Sequence, residues 1–160
     1  LQGVDVDERW SRIADMWARK APVENGYYAF NDLHAVISFL GAGQIAEART
    51  VLAAVEAAAE TNLESTRRMA REVGIPACSA FLAFAEERYT DAVELLLSIR
   101  TIAHRFGGSH AQRDILTQTL IVSAIRGDNA GLALNLMSER TVHKPFSPLT
   151  RRFNARIKTH

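Results

Sequence analysis

Chemically capable side chains are densest in His104-Arg105-Phe106-Gly107-Gly108-Ser109-His110-Ala111-Gln112-Arg113-Asp114. A glycine pair leading into a helix N-terminus is a ready place for an anion, because the first amide N–H groups lack partners and the macrodipole favours negative charge there. Arg113 would add a fork of donors suited to a carboxylate or phosphate. The same residues have a plainer use. Ser109 and Gln112 stand at capping-box spacing and can close the helix end on each other, the glycines can make the turn, and Arg113 and Asp114 can serve packing or an ion pair. The candidate binding residues are therefore Ser109, His110, Gln112, Arg113 and Asp114, with Asn31 and His34 joining them if a pocket links the two segments. The lysine and glycine spacing of a nucleotide P-loop is missing, which argues against ATP.

His34, His104, His110 and His143 invite a metal or acid–base reading, and their spacing argues against it. No pair stands at the four-residue helical interval, and a glycine break separates His104 from His110. If His34 and His110 begin first helices two hairpins apart, helix packing spaces them by roughly 20 Å, too far for one ion. The expectation is helix-terminal or hydrogen-bonded histidines and no metal site. In that use Asn31, Asp32 and His34 pin the loop from Tyr27 to Phe30. Cys78, among Ala77, Ser79 and Ala80, reads as a small residue filling a close helix contact. No Gly-x-Ser-x-Gly turn is present. No catalytic residue and no cofactor is assigned.

The elements that position these groups all read as helices. Trp10, Ile13, Ala14 and Trp17 share one face, with Asp7 and Glu8 expected in that helix's first turn and Arg19 and Lys20 after its last. Ala21 to Tyr28 reads as a loop, on Pro22 and Asn25-Gly26. Asn31 or Asp32 is expected to cap a second helix running to about Gly41. Ile45, Ala48, Leu52, Val55 and Ala59 stripe a third. Thr61-Asn62-Leu63-Glu64 has capping-box spacing, and Gly74 and Pro76 should kink or break the helix it opens. Further helices are expected from Pro76 to Arg88, after a Thr90 cap and up to Gly107-Gly108, from His110 to Ile125, and from the Gly127-Asp128 turn to Pro145. Ser147 then caps a last helix with Pro148 at its first position, striped by Leu149, Phe153 and Ile157. No segment alternates at strand length, so the fold class is all-α.

Paired helices with short turns prompt a search for internal repeats. A small residue near the start of a second helix lets two helices approach closely, and Ala48, Ala92 and Ala133 recur in that role. Their intervals of 44 and 41 residues exceed the roughly 34 of a tetratricopeptide repeat. The pattern predicts stacked antiparallel helix hairpins, with an irregular bundle as the alternative.

The 104–114 segment, Phe30-Asn31-Asp32-Leu33-His34-Ala35, Glu139-Arg140 and Ser147-Pro148-Leu149 together resemble the C-terminal part of the tetratricopeptide repeat protein 38 family. The likeness runs through nearly the whole chain, and family members are longer. It implies a tetratricopeptide-like right-handed superhelix. It brings no reaction, substrate or cofactor. This sequence also departs from the usual repeat, because the aromatic and glycine expected in each first helix are mostly replaced.

The 160 residues suit one domain with a real core. A hydrophobic share of 48% and a charged share of 23% are those of an ordinary globular protein. A formal net charge of +1 makes no case for nucleic acid. It conceals six basic residues and no acid between Arg140 and His160, which leaves thirteen bases against eighteen acids elsewhere. A basic final helix with a polar outer face is what a stacked array needs as its cap. A single cysteine excludes an internal disulfide, and no apolar run approaches the roughly 18 residues of a membrane span. The chain begins at Leu1 with no visible export signal, and is read as part of a longer or processed cytoplasmic protein. The expected function is a non-catalytic protein-interaction scaffold with a protein or peptide partner, a single helical-repeat domain over residues 1–160. The alternative is an enzyme or small-anion-binding domain centred on residues 104–114 and His34. Trp10, Met16 and Trp17 suggest, in addition, a face for homodimers.

Overall fold

The computed structural model describes residues 6–61 and 63–157, and these form helices and connecting turns with no strand among them. The elements are α1 (Arg9–Glu24), α2 (Ala29–Gly41), α3 (Ile45–Thr61), α4 (Glu64–Met69), α5 (Ile75–Ala85), α6 (Tyr89–Ile99), α7 (His110–Arg126), α8 (Ala130–His143) and α9 (Pro148–Ile157). A π-type turn, Ala70–Gly74, joins α4 to α5, and a short 3-10 turn, Ala103–Phe106, lies between α6 and α7.

Each helix buries a stripe against its neighbours. α3 buries Ala48, Val51, Val55, Ala58 and Ala59, an i, i+3, i+4 series. α1 packs on α2, α2 on α3, and both α2 and α3 reach α5. α5 packs on α6, and both reach α7. α7 packs on α8, and both reach α9. One hydrophobic core runs through these contacts from Ala14 in α1 to Phe153 in α9. Ala48, Ala92 and Ala133, the small residues picked out by spacing, are each at most 1% exposed. They lie in α3, α6 and α8. No helix among the described residues is long and apolar enough to cross a membrane.

Several helix ends differ from expectation. α1 continues to Glu24, so Arg19 and Lys20 lie inside it, and its first turn holds no acid. The turn is made at Gly26, whose φ of +80° suits glycine. α2 begins at Ala29 with Tyr28 in the cap position. Asn31 and Asp32 are therefore in its first turn, where their amides donate to the Tyr28 carbonyl at 2.8 and 3.1 Å. The Thr61–Glu64 spacing makes no box, because α3 extends to Thr61 and that hydroxyl donates back to the Ala57 carbonyl at 2.9 Å. Asn62 lies outside the described residues. Gly74 and Pro76 do not break the helical run, which passes from α4 through the π turn into α5. The π turn widens the helix just where proline removes a donor, a usual way of absorbing such a defect. α5 ends at Ala85, and α6 starts at Tyr89 with Arg88 rather than Thr90 in the cap position. In the Gly127-Asp128 turn it is Asp128 that takes the positive φ, +56°.

In α9, Phe153 is fully buried while Arg151 and Arg152 are exposed, as an end helix over the core requires. The Ile157 side chain and Lys158 lie outside what is described.

Candidate functional site

The two segments singled out by their chemistry meet in the fold. Phe106 is 1% exposed and its ring stands edge-on to Phe30, centroids 5.6 Å apart. Phe30 in turn lies 4.4 Å from the His34 ring and 6.0 Å from that of Tyr28. This aromatic group presses on the glycine pair. A Cβ at Gly107 would collide with the Tyr28 hydroxyl, and one at Gly108 with the Phe30 ring. Both glycines also hold positive φ, +90° and +73°, so their lack of a side chain is required twice over. The turn before α7 thus meets the start of α2 at Tyr28 and Phe30, and the two segments form one junction.

The predicted capping box is formed. The Gln112 amide donates to Ser109 Oγ at 3.2 Å, and the Ser109 amide to Gln112 Oε1 at 2.9 Å. Arg113 Nη1 donates to the Gly107 carbonyl at 2.8 Å and also to that of Gly108, tying the turn to α7. Asp114 faces away from the glycines toward α8. It accepts from Arg140 Nη1 and Nη2 at 2.8 and 3.0 Å, from Lys144 at 2.9 Å and from Gln118 at 2.9 Å. Burial alone would push the Asp114 carboxyl up, but Arg140, Lys144 and Gln118 outweigh it and hold the group well below the usual carboxylate range.

His34 is half-buried, its Nδ1 2.7 Å from the Phe30 carbonyl. Asn31 is half-buried in the first turn of α2. His104 and His110 are exposed and line a groove of about 220 Å³ between α6, the 3-10 turn and α7, together with Arg100 and Arg113. His34 and Asn31 do not line it. A neighbouring hollow of about 180 Å³ shares Arg100 and Thr117 with that groove and holds Asp114, Arg140, His143 and Lys144. Among the described residues no three of His, Cys, Asp and Glu come together in a way that would hold a metal ion.

Two residues matter more than sequence reasoning allowed. Arg140, grouped there with the basic end of the chain, has a side chain 4% exposed and a guanidinium 6.0 Å from the Phe153 ring. Its position three and four residues beyond Met137 and Leu136 is the signal that places it on the inward face of α8. Asp32 is 2% exposed; its Oδ1 accepts from the Gly26 amide at 2.9 Å, while its Oδ2 is buried with no hydrogen-bond partner. Burial, partly offset by the Gly26 bond, pushes its carboxyl up to about 6. Asp32 therefore ties the turn between α1 and α2 at Gly26, one residue before the Tyr27–Phe30 segment it was expected to pin, and does so from within the helix. Cys78 is fully buried, and burial first and the charge of Asp32 second push its thiol up. It is an inert packing group in this state.

No family model matches the chain, and no solved structure matches it.

Proposed function

We propose that this chain is a non-catalytic protein-interaction scaffold: stacked antiparallel hairpins of the tetratricopeptide type, wound as a right-handed superhelix, closed by α9, and akin to the tetratricopeptide repeat protein 38 family. The observation that carries the reading is the order of helix contacts. In three successive pairs, α2–α3, α5–α6 and α7–α8, both members touch the first helix of the next unit, and the last pair passes its contacts to α9. That relay is the contact pattern of a helical array, in which each unit buries its face only against its neighbours. An array presents its first helices side by side as an extended surface for a protein or peptide.

The chemistry of residues 104–114 supports binding over catalysis. Ser109, Gln112 and Arg113 are engaged in holding the turn, and Asp114 is held by two cations. These four residues are therefore not available as a general base or nucleophile. Affinity capture by the full chain, followed by reconstitution with the purified partner, tests the proposal. A saturable complex of fixed stoichiometry is expected. Failure of every captured protein to re-form a complex, with Arg113→Ala behaving like the parent, removes it.

A further inference from the structure

We propose that the groove between α6, the 3-10 turn and α7, continued into the hollow beside α8, binds an acidic peptide segment of the partner. An apolar side chain of that segment enters the floor and its flanking carboxylates meet the rim. This inference rests on the scaffold reading and names its contact surface.

The floor is apolar, made by Leu96, Ile99, Leu116 and Leu120. Its volume of about 220 Å³ falls below the roughly 300–1,000 Å³ of small-molecule pockets, and suits one side chain better than a whole metabolite. The rim is basic. Arg100, Arg113 and Lys144 stand along the groove and its neighbour with Arg140 buried beneath; Arg100 pairs with Glu139, and Arg140 and Lys144 share Asp114. Four bases against two acids leave the two hollows with a net of two positive charges, and the Arg113 guanidinium is held by backbone carbonyls rather than by a carboxylate. Such a field selects acidic segments.

The rim also has donors to offer. Both bonds from Arg113 to the turn leave through Nη1, which leaves the Nε and Nη2 donors of a guanidinium already fixed in place. Among the described residues, the exposed rings of His104 and His110 bond to no other group, so each has a nitrogen to give. A preorganised rim lowers the ordering cost of binding. No aromatic ring other than the histidines lines either hollow, so the base-stacking platform of a single-stranded nucleic-acid site is missing.

The test uses the full chain, isotope-labelled for amide shifts, and a fluorescent octapeptide of alternating Glu and Asp around a central Leu. The control is the same peptide with Gln and Asn in place of the acids. Saturable binding of the acidic peptide alone is expected, with shifts confined to residues 96–120 and 136–144. The double variant His104→Gln, His110→Gln should weaken it about tenfold, equivalent to about 1.4 kcal/mol, at unchanged melting temperature. Thr117→Phe, which fills the shared wall, should abolish it in a protein that circular dichroism shows still folded. Equal binding of the two peptides, shifts elsewhere, or tighter binding of a single-stranded oligonucleotide at this groove would overturn the proposal. If a reconstituted partner binds the groove variants normally and crosslinks to α2 and α5, the groove is overturned and the scaffold reading stands. If no partner binds any face, both fall.

Discussion

Arg140 clasps Asp114 with both guanidinium nitrogens, at 2.8 and 3.0 Å, and in doing so fixes α8 to the second turn of α7. The pair lies under the rim of the groove, and its side chains are 4% and 14% exposed. A pair so buried is costly to break from one side, because the remaining charge is left without its partner in a low-dielectric site.

Arg140→Ala should therefore destabilise the fold by about 3–5 kcal/mol, lowering the melting temperature by about 10 °C in a chain of this size. Asp114→Asn should fall in the same direction. Because burial raises and its partners more strongly depress the Asp114 carboxyl, the stabilisation it gives is present above the ordinary carboxyl value, and is lost as pH falls below about 4. Thermal melts of Arg140→Ala within a degree of the parent would show that the clasp holds nothing.

Asp32 has the opposite sign. Its folded value, near 6, lies above the ordinary one. Its full contribution is present when the group is protonated in both states, below about 4. It is lost as pH rises through 6, at a cost of about 3 kcal/mol by neutral pH. Asp32→Asn keeps an oxygen for the Gly26 amide and cannot ionise. It should be more stable than the parent at pH 7.5, with the advantage shrinking toward pH 4.5. Urea midpoints at the two pH values measure this, and a pH-independent difference would rule out a buried, titrating Asp32.

The glycine pair makes a coupled prediction. Gly108→Ala adds a Cβ into the Phe30 ring at a φ of +73°, and should cost about 1–2 kcal/mol from the backbone alone, with the collision added. In a Phe30→Ala background the collision is gone, so the added methyl should cost measurably less. Additive losses in the double-mutant cycle would mean that the two residues do not touch.

The capping box is a local device with a modest effect. Ser109→Ala should cost about 1 kcal/mol, and Gln112→Ala less, since the serine bond survives. Guanidinium denaturation of the two variants checks the order. A loss several times larger for Ser109→Ala would give that hydroxyl a role beyond the cap.

Much of the helical framework was legible in the sequence. Where the decisive interaction is local, as at Ser109–Gln112, residue spacing was enough. Where two local signals compete, it was not. Thr61 and Glu64 have the same box spacing, but α3 runs on through Thr61 and takes its hydroxyl. Pro76 reads as a breaker, yet the π turn before it accommodates the missing donor. The junction of Tyr28, Phe30 and His34 with Phe106 and the glycines depends on contact between segments more than seventy residues apart, which no window of sequence reports. Arg140 illustrates the last difficulty. A basic residue near a basic terminus looks like surface, and only its register with Leu136 and Met137 places it in the core.

The most direct test of the scaffold reading is mass spectrometry of the purified chain after incubation with its captured partner, first under native conditions and then denatured. A complex of fixed stoichiometry is expected, from which both chains, and any small molecule present, are recovered at unaltered mass. A partner or small molecule returned with a changed mass would show turnover, and the absence of any complex under native conditions would show that the two chains do not bind; either outcome rules out a non-catalytic scaffold.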